Sequence, residues 1–390
     1  MTQRLLPRAL ATVYARKCAL NAVQRRWEEA FFATGPASAE IESARAAAAQ
    51  ALMSARSAFL PMHSIDRFPA VAWAVESPTA VYGRHASRLV PGSAFPPDGS
   101  LDQVEPSRGF RLDHRVHGWV RFSAPVREVG STAWARVSAP NRPRMSRTMP
   151  SIIFCHGIGM EPEFWREQRL SLSSFVDAGI RVIRPEAPWH GRRRADGYYG
   201  GEPILARGPG GLLDYFHSAV RELGTLIAWA RASRGGPVAL AGISLGALTA
   251  QLVATAATDW PAEMRPDALF LIAPSDSLSR ITFEGSLTQA LDVPAALLAS
   301  GWTAPAIEQW RPLLEPAGDP VVAPDRIVVV LGETDDVTLA EGGENLVHRW
   351  RVPADNVFRF PAGHFTTSLA LTRDGPAARR FRSVMSRLGR

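Results

Sequence analysis

The residues of this sequence best placed to do chemistry are a serine set between glycines and a few histidines and carboxylates beside glycine turns. Gly242-Ile243-Ser244-Leu245-Gly246 follows the apolar run Val238–Ala241 and leads into Ala247-Leu248-Thr249-Ala250. His156-Gly157, His190-Gly191 and Gly363-His364 each stand just beyond an apolar run, and Asp335-Asp336 follow another. Serine, imidazole and carboxylate together suit acyl transfer. A hydroxyl is a weak nucleophile at neutral pH; a neutral imidazole takes its proton and later returns it to the leaving group. A carboxylate fixes the imidazole tautomer and steadies the imidazolium. Successive side chains point apart, so at most one of Asp335 and Asp336 can face a given histidine.

Such groups must be held at the ends of rigid elements. Short β-type runs occur at Ser151–Cys155, Ile180–Ile183, Val238–Ala241, Ala268–Ile272, Ile327–Leu331 and Val357–Phe360, separated by helical stretches at about 162–178, 211–232 and 245–258. Apolar strands alternating with helices give an α/β fold: a mostly parallel, twisted sheet with helices on both faces. Gly118–Val126 and Ser131–Val137 alternate like an antiparallel pair ahead of it. Ser244 then sits on a sharp strand-to-helix turn, where flanking glycines remove the Cβ atoms that would clash and the backbone N–H of Leu245 can face a developing oxyanion. Residues 275–324 are longer than a simple crossover and are either a lid over the site or scaffold decoration.

The order of these motifs resembles the α/β-hydrolase superfamily, loosely its dienelactone-hydrolase and acetyl-esterase-like branches. The likeness rests on His156-Gly157-Ile158-Gly159 after one strand, Gly242–Gly246 two strands later, Pro185–Arg192, Gly332-Glu333-Thr334-Asp335 and Gly363-His364-Phe365. It covers about residues 116–390. The resemblance implies Ser244 as nucleophile, His364 as general base and Asp335 as its carboxylate, with Asp336 the neighbouring competitor and Asp276 in reserve. It gives the oxyanion donors as the amides of Ile158 and Leu245, and leaves His156 and His190 without proton-transfer roles. The implied reaction is hydrolysis of an acyl ester, or of a thioester or amide, through an acyl-serine, with a small acyl substrate and neither cofactor nor metal. An acyltransferase would keep the same triad and accept an alcohol or thiol. A non-catalytic binding protein on this scaffold would be expected to have lost a triad member.

Residues 1–115 lie outside the likeness. Apolar residues recur at helical spacing from about 3 to 60, broken at Gly35-Pro36, with Ser38 placed to cap the second helix. Leu5, Leu6, Leu20, Val23, Trp27, Phe31, Phe32, Leu52, Phe59 and Leu60 form apolar faces that something must cover. A cap on the chain's own catalytic domain and a homodimer interface are equal alternatives, and Glu28-Glu29 and Glu40–Glu42 argue against a membrane. Residues 61–115, rich in Pro, Gly and Ser, read as an irregular connector. The net charge is +7, but Lys17 is the only lysine and the charge is dispersed. Nucleic acid is therefore not an expected partner, and Arg192–Arg194 read as a solvated loop. His114 and His117 lack companions for a metal site and read as surface residues. Cys155 reads as a buried structural thiol. No stretch is apolar enough for a membrane span, and the N-terminus makes a poor signal peptide, so a cytoplasmic location is expected.

Overall fold

A computed structural model describes residues 2–33, 35–57, 71–97, 101–112, 114–141, 148–160, 172–367 and 375–389. Among the described residues, ten strands form one sheet: β1 (Glu105–Pro106), β2 (Phe110–Leu112), β3 (Arg115–Ser123), β4 (Thr132–Pro140), β5 (Ser151–Cys155), β6 (Arg181–Pro185), β7 (Val238–Ile243), β8 (Ala268–Ile272), β9 (Ile327–Gly332) and β10 (Val357–Phe360). Their order is β1-β3-β4-β6-β5-β7-β8-β9-β10, with β2 also on β3. The six strands from β5 onward are mutually parallel, and β3 and β4 extend them antiparallel at one edge. The expected α/β architecture is thus present.

Period-two alternation assigns the layers. On β5, Ile152 and Phe154 face one core, closed by α4 (Ser173–Asp177) and by Phe381 and Val384 of α15 (Pro376–Leu388). Ile153 and Cys155 face the other, against α6 (Pro209–Arg234) and α7 (Leu245–Ala256). Cys155 is buried, as expected, and its thiol is pushed up to about 12 by that burial. From β5 the chain passes to β6 on one side and then to β7 on the other. That reversal opens a crevice at the strands' carboxyl ends, where open α/β sheets place their ligands.

The N-terminal arm consists of α1 (Thr2–Phe32) and α2 (Ala39–Ser57). Trp27, Ala30 and Phe31 of α1 are buried with Phe110, Trp119 and Trp134 of β2, β3 and β4. The apolar end of α1 is thus covered by the chain's own sheet. Of the other residues expected on that face, Leu52 is buried, Leu20, Val23 and Phe32 are half-buried, and the side chains of Leu5, Leu6, Phe59 and Leu60 lie outside the described set.

Several expectations need correction. The connector is not wholly irregular: α3 (Pro78–His85) is capped by the Ser77 hydroxyl, and the sheet starts at Glu105, ahead of residue 116. Strands of two and three residues are too short to show a period. Of the helix expected at 162–178, residues 172–178 fall within the described ones, and Ser173–Asp177 of these are helical. His117 is no surface residue: it is buried, its Nδ1 lies 2.9 Å from Ser138 Oγ, and its ring stacks on Phe110. His114 is exposed, as expected. Residues 275–324 fold into five short helices, α8 (Leu278–Glu284), α9 (Ser286–Ala290), α10 (Val293–Ala299), α11 (Ala304–Glu308) and α12 (Arg311–Leu314).

Candidate active site

Ser244 ends β7 with φ 55° and ψ −123°, a conformation L residues seldom adopt. The flanking glycines permit it. A Cβ on Gly242 would stand 2.2 Å from Gly246 O, and one on Gly246 would stand 2.2 Å from Cys155 O and 2.7 Å from His156 O. The turn therefore packs backbone on backbone, and its serine is half-buried at the crevice.

His364 Nε2 lies 3.0 Å from Ser244 Oγ, and His364 Nδ1 lies 2.8 Å from Asp335 Oδ2. The imidazole heads α14 (His364–Thr367) just past β10, and Asp335 follows β9. Asp335 is nearly enclosed. Its Oδ1 accepts the N–H groups of Val337 and Thr338 at 3.0 and 2.9 Å, and its Oδ2 accepts the Thr338 hydroxyl at 2.8 Å. Burial alone would raise its pKa. The hydrogen bond and charge of His364, with the Thr338 donors, outweigh burial and hold the carboxyl below its usual range. A fixed anion next to Nδ1 keeps the proton there and leaves Nε2 as an acceptor for the serine hydroxyl.

Asp336 is exposed; it contributes its backbone carbonyl, which accepts the Ser286 N–H. Asp276 is half-buried and has Arg349, Glu315 and Arg280 as its charged surroundings. The two alternative carboxylates are therefore not the ones brought to His364. Thr338 was not anticipated. Its hydroxyl bonds Asp335 and stands 3.4 Å from His364 Nδ1, and a threonine three residues past an aspartate carries no signal of its own in sequence.

Leu245 is the first residue of α7, so its N–H is among the helix-end donors without an intrahelical acceptor. Ile158 lies on the loop after β5, which packs against the turn: a Cβ on Gly157 would stand 3.4 Å from Ser244 Cβ. Ile158, Leu245 and Ser244 line one pocket. Two histidines brace this loop against the turn after β6. His156 Nε2 accepts the Ala187 N–H and His190 Nε2 accepts the Gly159 N–H, both at 3.2 Å. Their Nδ1 atoms face the Gly157 and Pro188 carbonyls at 2.8 and 2.9 Å, and the rings meet edge to face. Burial lowers both pKa values, that of His190 well below the ordinary range. Neutral imidazoles, each donating from Nδ1 and accepting at Nε2, fit all four contacts.

The same turn corrects the reading of Arg192–Arg194 as a solvated loop. Arg193 pairs with Glu222 at 2.7 Å in the interior. The Arg192 guanidinium pairs with buried Glu186 and lies over the rings of Trp27, Trp119 and Trp134. Glu222 and the three tryptophans come from distant segments, so local sequence does not reveal these contacts.

The pocket at Ser244 has a cavity volume of about 90 Å³. Its walls are almost wholly apolar, with Ile204, Leu212 and Leu248 on the scaffold side and Leu278, Ile281, Leu287, Val293, Leu297, Ile307 and Leu314 from α8–α12. Residues of α8–α12 thus line the pocket beside Ser244.

Residues 152–379, more than half of the chain, match the alpha/beta hydrolase family. The chain belongs to that family. No curated protein matches it. Among solved structures, similar ones include a cold-adapted esterase from an Arctic intertidal metagenomic library (14% identity, TM-score 0.43, covering 72% of this chain and 97% of that one). A hyperthermophilic esterase from the archaeon Pyrobaculum calidifontis shares 16% identity at TM-score 0.45 over 86% of this chain and 96% of its own. An S-formylglutathione hydrolase from Agrobacterium tumefaciens shares 13% at TM-score 0.46 over 72% and 99%. Likeness at this level carries no argument about substrate. No helix among the described residues is long and apolar enough to cross a membrane.

Proposed function

We propose that this protein is a serine hydrolase that cleaves neutral carboxylic esters with an apolar acyl group. The observation that carries this reading is the Ser244–His364–Asp335 relay, at 3.0 and 2.8 Å, opening onto an apolar pocket. Ser244 Oγ attacks the ester carbonyl as its proton passes to His364 Nε2. The carbonyl oxygen takes up negative charge facing the amides of Ile158 and Leu245. Collapse of the tetrahedral intermediate expels the alcohol, which takes the proton from His364 and leaves an acyl-Ser244. Water, deprotonated by the same imidazole, attacks the acyl group; the acid leaves and the Ser244 proton is restored. The apolar walls favour an uncharged acyl chain, since a charge there would lose its hydration without a partner.

The test is steady-state hydrolysis of a series of p-nitrophenyl esters of graded acyl length, with charged acyl analogues alongside. Turnover of the neutral apolar esters, absent for the charged ones, is expected. Preference for charged acyl groups, or no turnover across the series by folded protein, would overturn the reading. Added alcohol that diverts most of the product to a new ester would make the protein an acyltransferase.

A further inference from the structure

The N-terminal arm meets the loop after β6 at an exposed Lys17–Asp196 pair, 2.8 Å, and, in the interior, through Trp27. Trp27 of α1, Trp119 of β3 and Trp134 of β4 form an aromatic cage around Arg192, whose guanidinium carbon stands 4.6, 4.0 and 5.0 Å from the three ring centroids. The arm locks the cage from outside. Glu42 of α2 accepts Trp27 Nε1–H at 2.6 Å and pairs with Arg45 at 3.0 Å, and Arg45 lies 5.6 and 5.4 Å from the rings of Trp27 and Trp119. Inside, the Arg192 N–H donates to Glu186 Oε2 at 2.9 Å and its guanidinium pairs with Glu186 Oε1. The Glu186 N–H donates to Trp134 O at 2.8 Å. Glu186 and Arg192 therefore clamp the two ends of the segment 187–191. That segment holds the loop of Ile158, through Ala187 N–H on His156 and through His190 on Gly159 N–H.

We propose that the N-terminal arm is a positioning element of the active site: by closing the tryptophan cage on Arg192 it fixes the 186–192 turn and, through His156 and His190, the Ile158 amide. The inference rests on the hydrolase reading for its catalytic consequence. Its structural half, coupling of Trp27 to the 156–160 loop, does not. A planar guanidinium is what three ring faces and a carboxylate can grip at once. If the segment needed only stability, apolar side chains would fill the cage without the cost of burying a charge pair. The geometry instead suits a device that orients.

The experiment compares Trp27→Ala, Trp27→Phe and Arg192→Lys in the full chain, with exposed Tyr14→Ser as the control for the arm. Trp27→Ala and Arg192→Lys should each lower kcat about 10–100-fold, the scale of a displaced donor, with KM within about twofold. Affinity for a boronic-acid transition-state analogue should fall by the same factor as kcat. Amide exchange at residues 156–160 should speed up while that of β7 does not, and Trp27→Phe, which keeps a ring, should recover most of kcat. Should Trp27→Ala fail to fold, Arg192→Lys carries the same comparison. Wild-type kcat in folded variants, unchanged exchange at 156–160, or kcat falling only with the fraction of folded protein would overturn the proposal. Faster exchange in a chain that hydrolyses no ester would leave the coupling standing and remove the hydrolase reading alone.

Discussion

Asp335→Asn isolates what the carboxylate does for His364. The substituted amide has one oxygen and one NH2. Two backbone donors, Val337 N–H and Thr338 N–H, point at the Oδ1 position at 3.0 and 2.9 Å. An NH2 placed there would set donor against donor in a buried site, so the oxygen must take that position. The NH2 is then forced to the Oδ2 position, 2.8 Å from His364 Nδ1, where it donates. His364 must accept at Nδ1 and carry its proton on Nε2, the nitrogen 3.0 Å from Ser244 Oγ. The base becomes a donor to the group it should deprotonate, and the later imidazolium loses its anion. A wrong tautomer costs about 10⁴ in kcat, or about 5.5 kcal/mol of barrier. The backbone bonds survive, so the fold should too. Asp336→Asn changes an exposed side chain and should stay within about twofold. The assay is kcat on one ester for both variants, each checked for a cooperative melt. An equal loss in the two variants, or a larger one in Asp336→Asn, would refute the tautomer reasoning and the choice of carboxylate.

Three further outcomes follow from the same geometry. Gly246→Ala places a methyl 2.2 Å from Cys155 O, so denaturant unfolding should show a loss of roughly 1–3 kcal/mol or more together with lost activity; a stable, active variant would contradict the packing described for the turn. Leu297→Ala removes a buried wall of the pocket, and the ratio of kcat/KM for longer over shorter acyl esters should rise about tenfold; an unchanged ratio would place the acyl chain elsewhere. His156 and His190 have folded pKa values below the ordinary 6.5, so the unfolded chain takes up their protons first; stability is full above about pH 6.5 and falls as the pH drops below it, by up to about 1.4 kcal/mol per pH unit for each histidine. Urea midpoints should decline between about pH 7 and pH 5.5, less steeply in His190→Gln, and equal midpoints for the wild type would contradict the bracing role. The depressed carboxylate of Asp335 acts in a lower window, lost as pH falls from its ordinary 3.8 through its folded value.

The candidate site is legible because each of its members is marked locally. Ser244 is flanked by glycines that a strained turn requires, and His364 and Asp335 sit directly past strands whose apolar composition marks them as buried. The sheet was legible for the same reason: Ile152–Cys155 and Ile327–Leu331 are continuous apolar runs, as parallel strands covered on both faces must be. The edge was less so, since β1 and β2 owe their extended form to pairing with β3. Arg192, Arg193 and His117 were misread because burial of a polar residue is decided by its partners. Glu222 lies 29 residues beyond Arg193 and Trp27 belongs to the arm, and no local pattern announces either contact. The contact of Thr338 with Asp335 is hidden for the same reason, since it exists only after folding.

The central claim is that Ser244 forms the covalent intermediate. The most direct measurement is peptide mass spectrometry of protein treated with a fluorophosphonate and, separately, quenched during ester turnover. The account predicts one phosphonyl and one acyl adduct, both on the peptide holding Ser244, slowed by on the order of 10⁶ in His364→Ala and absent in Ser244→Ala. An adduct on another residue, or undiminished ester turnover by folded Ser244→Ala, would contradict it.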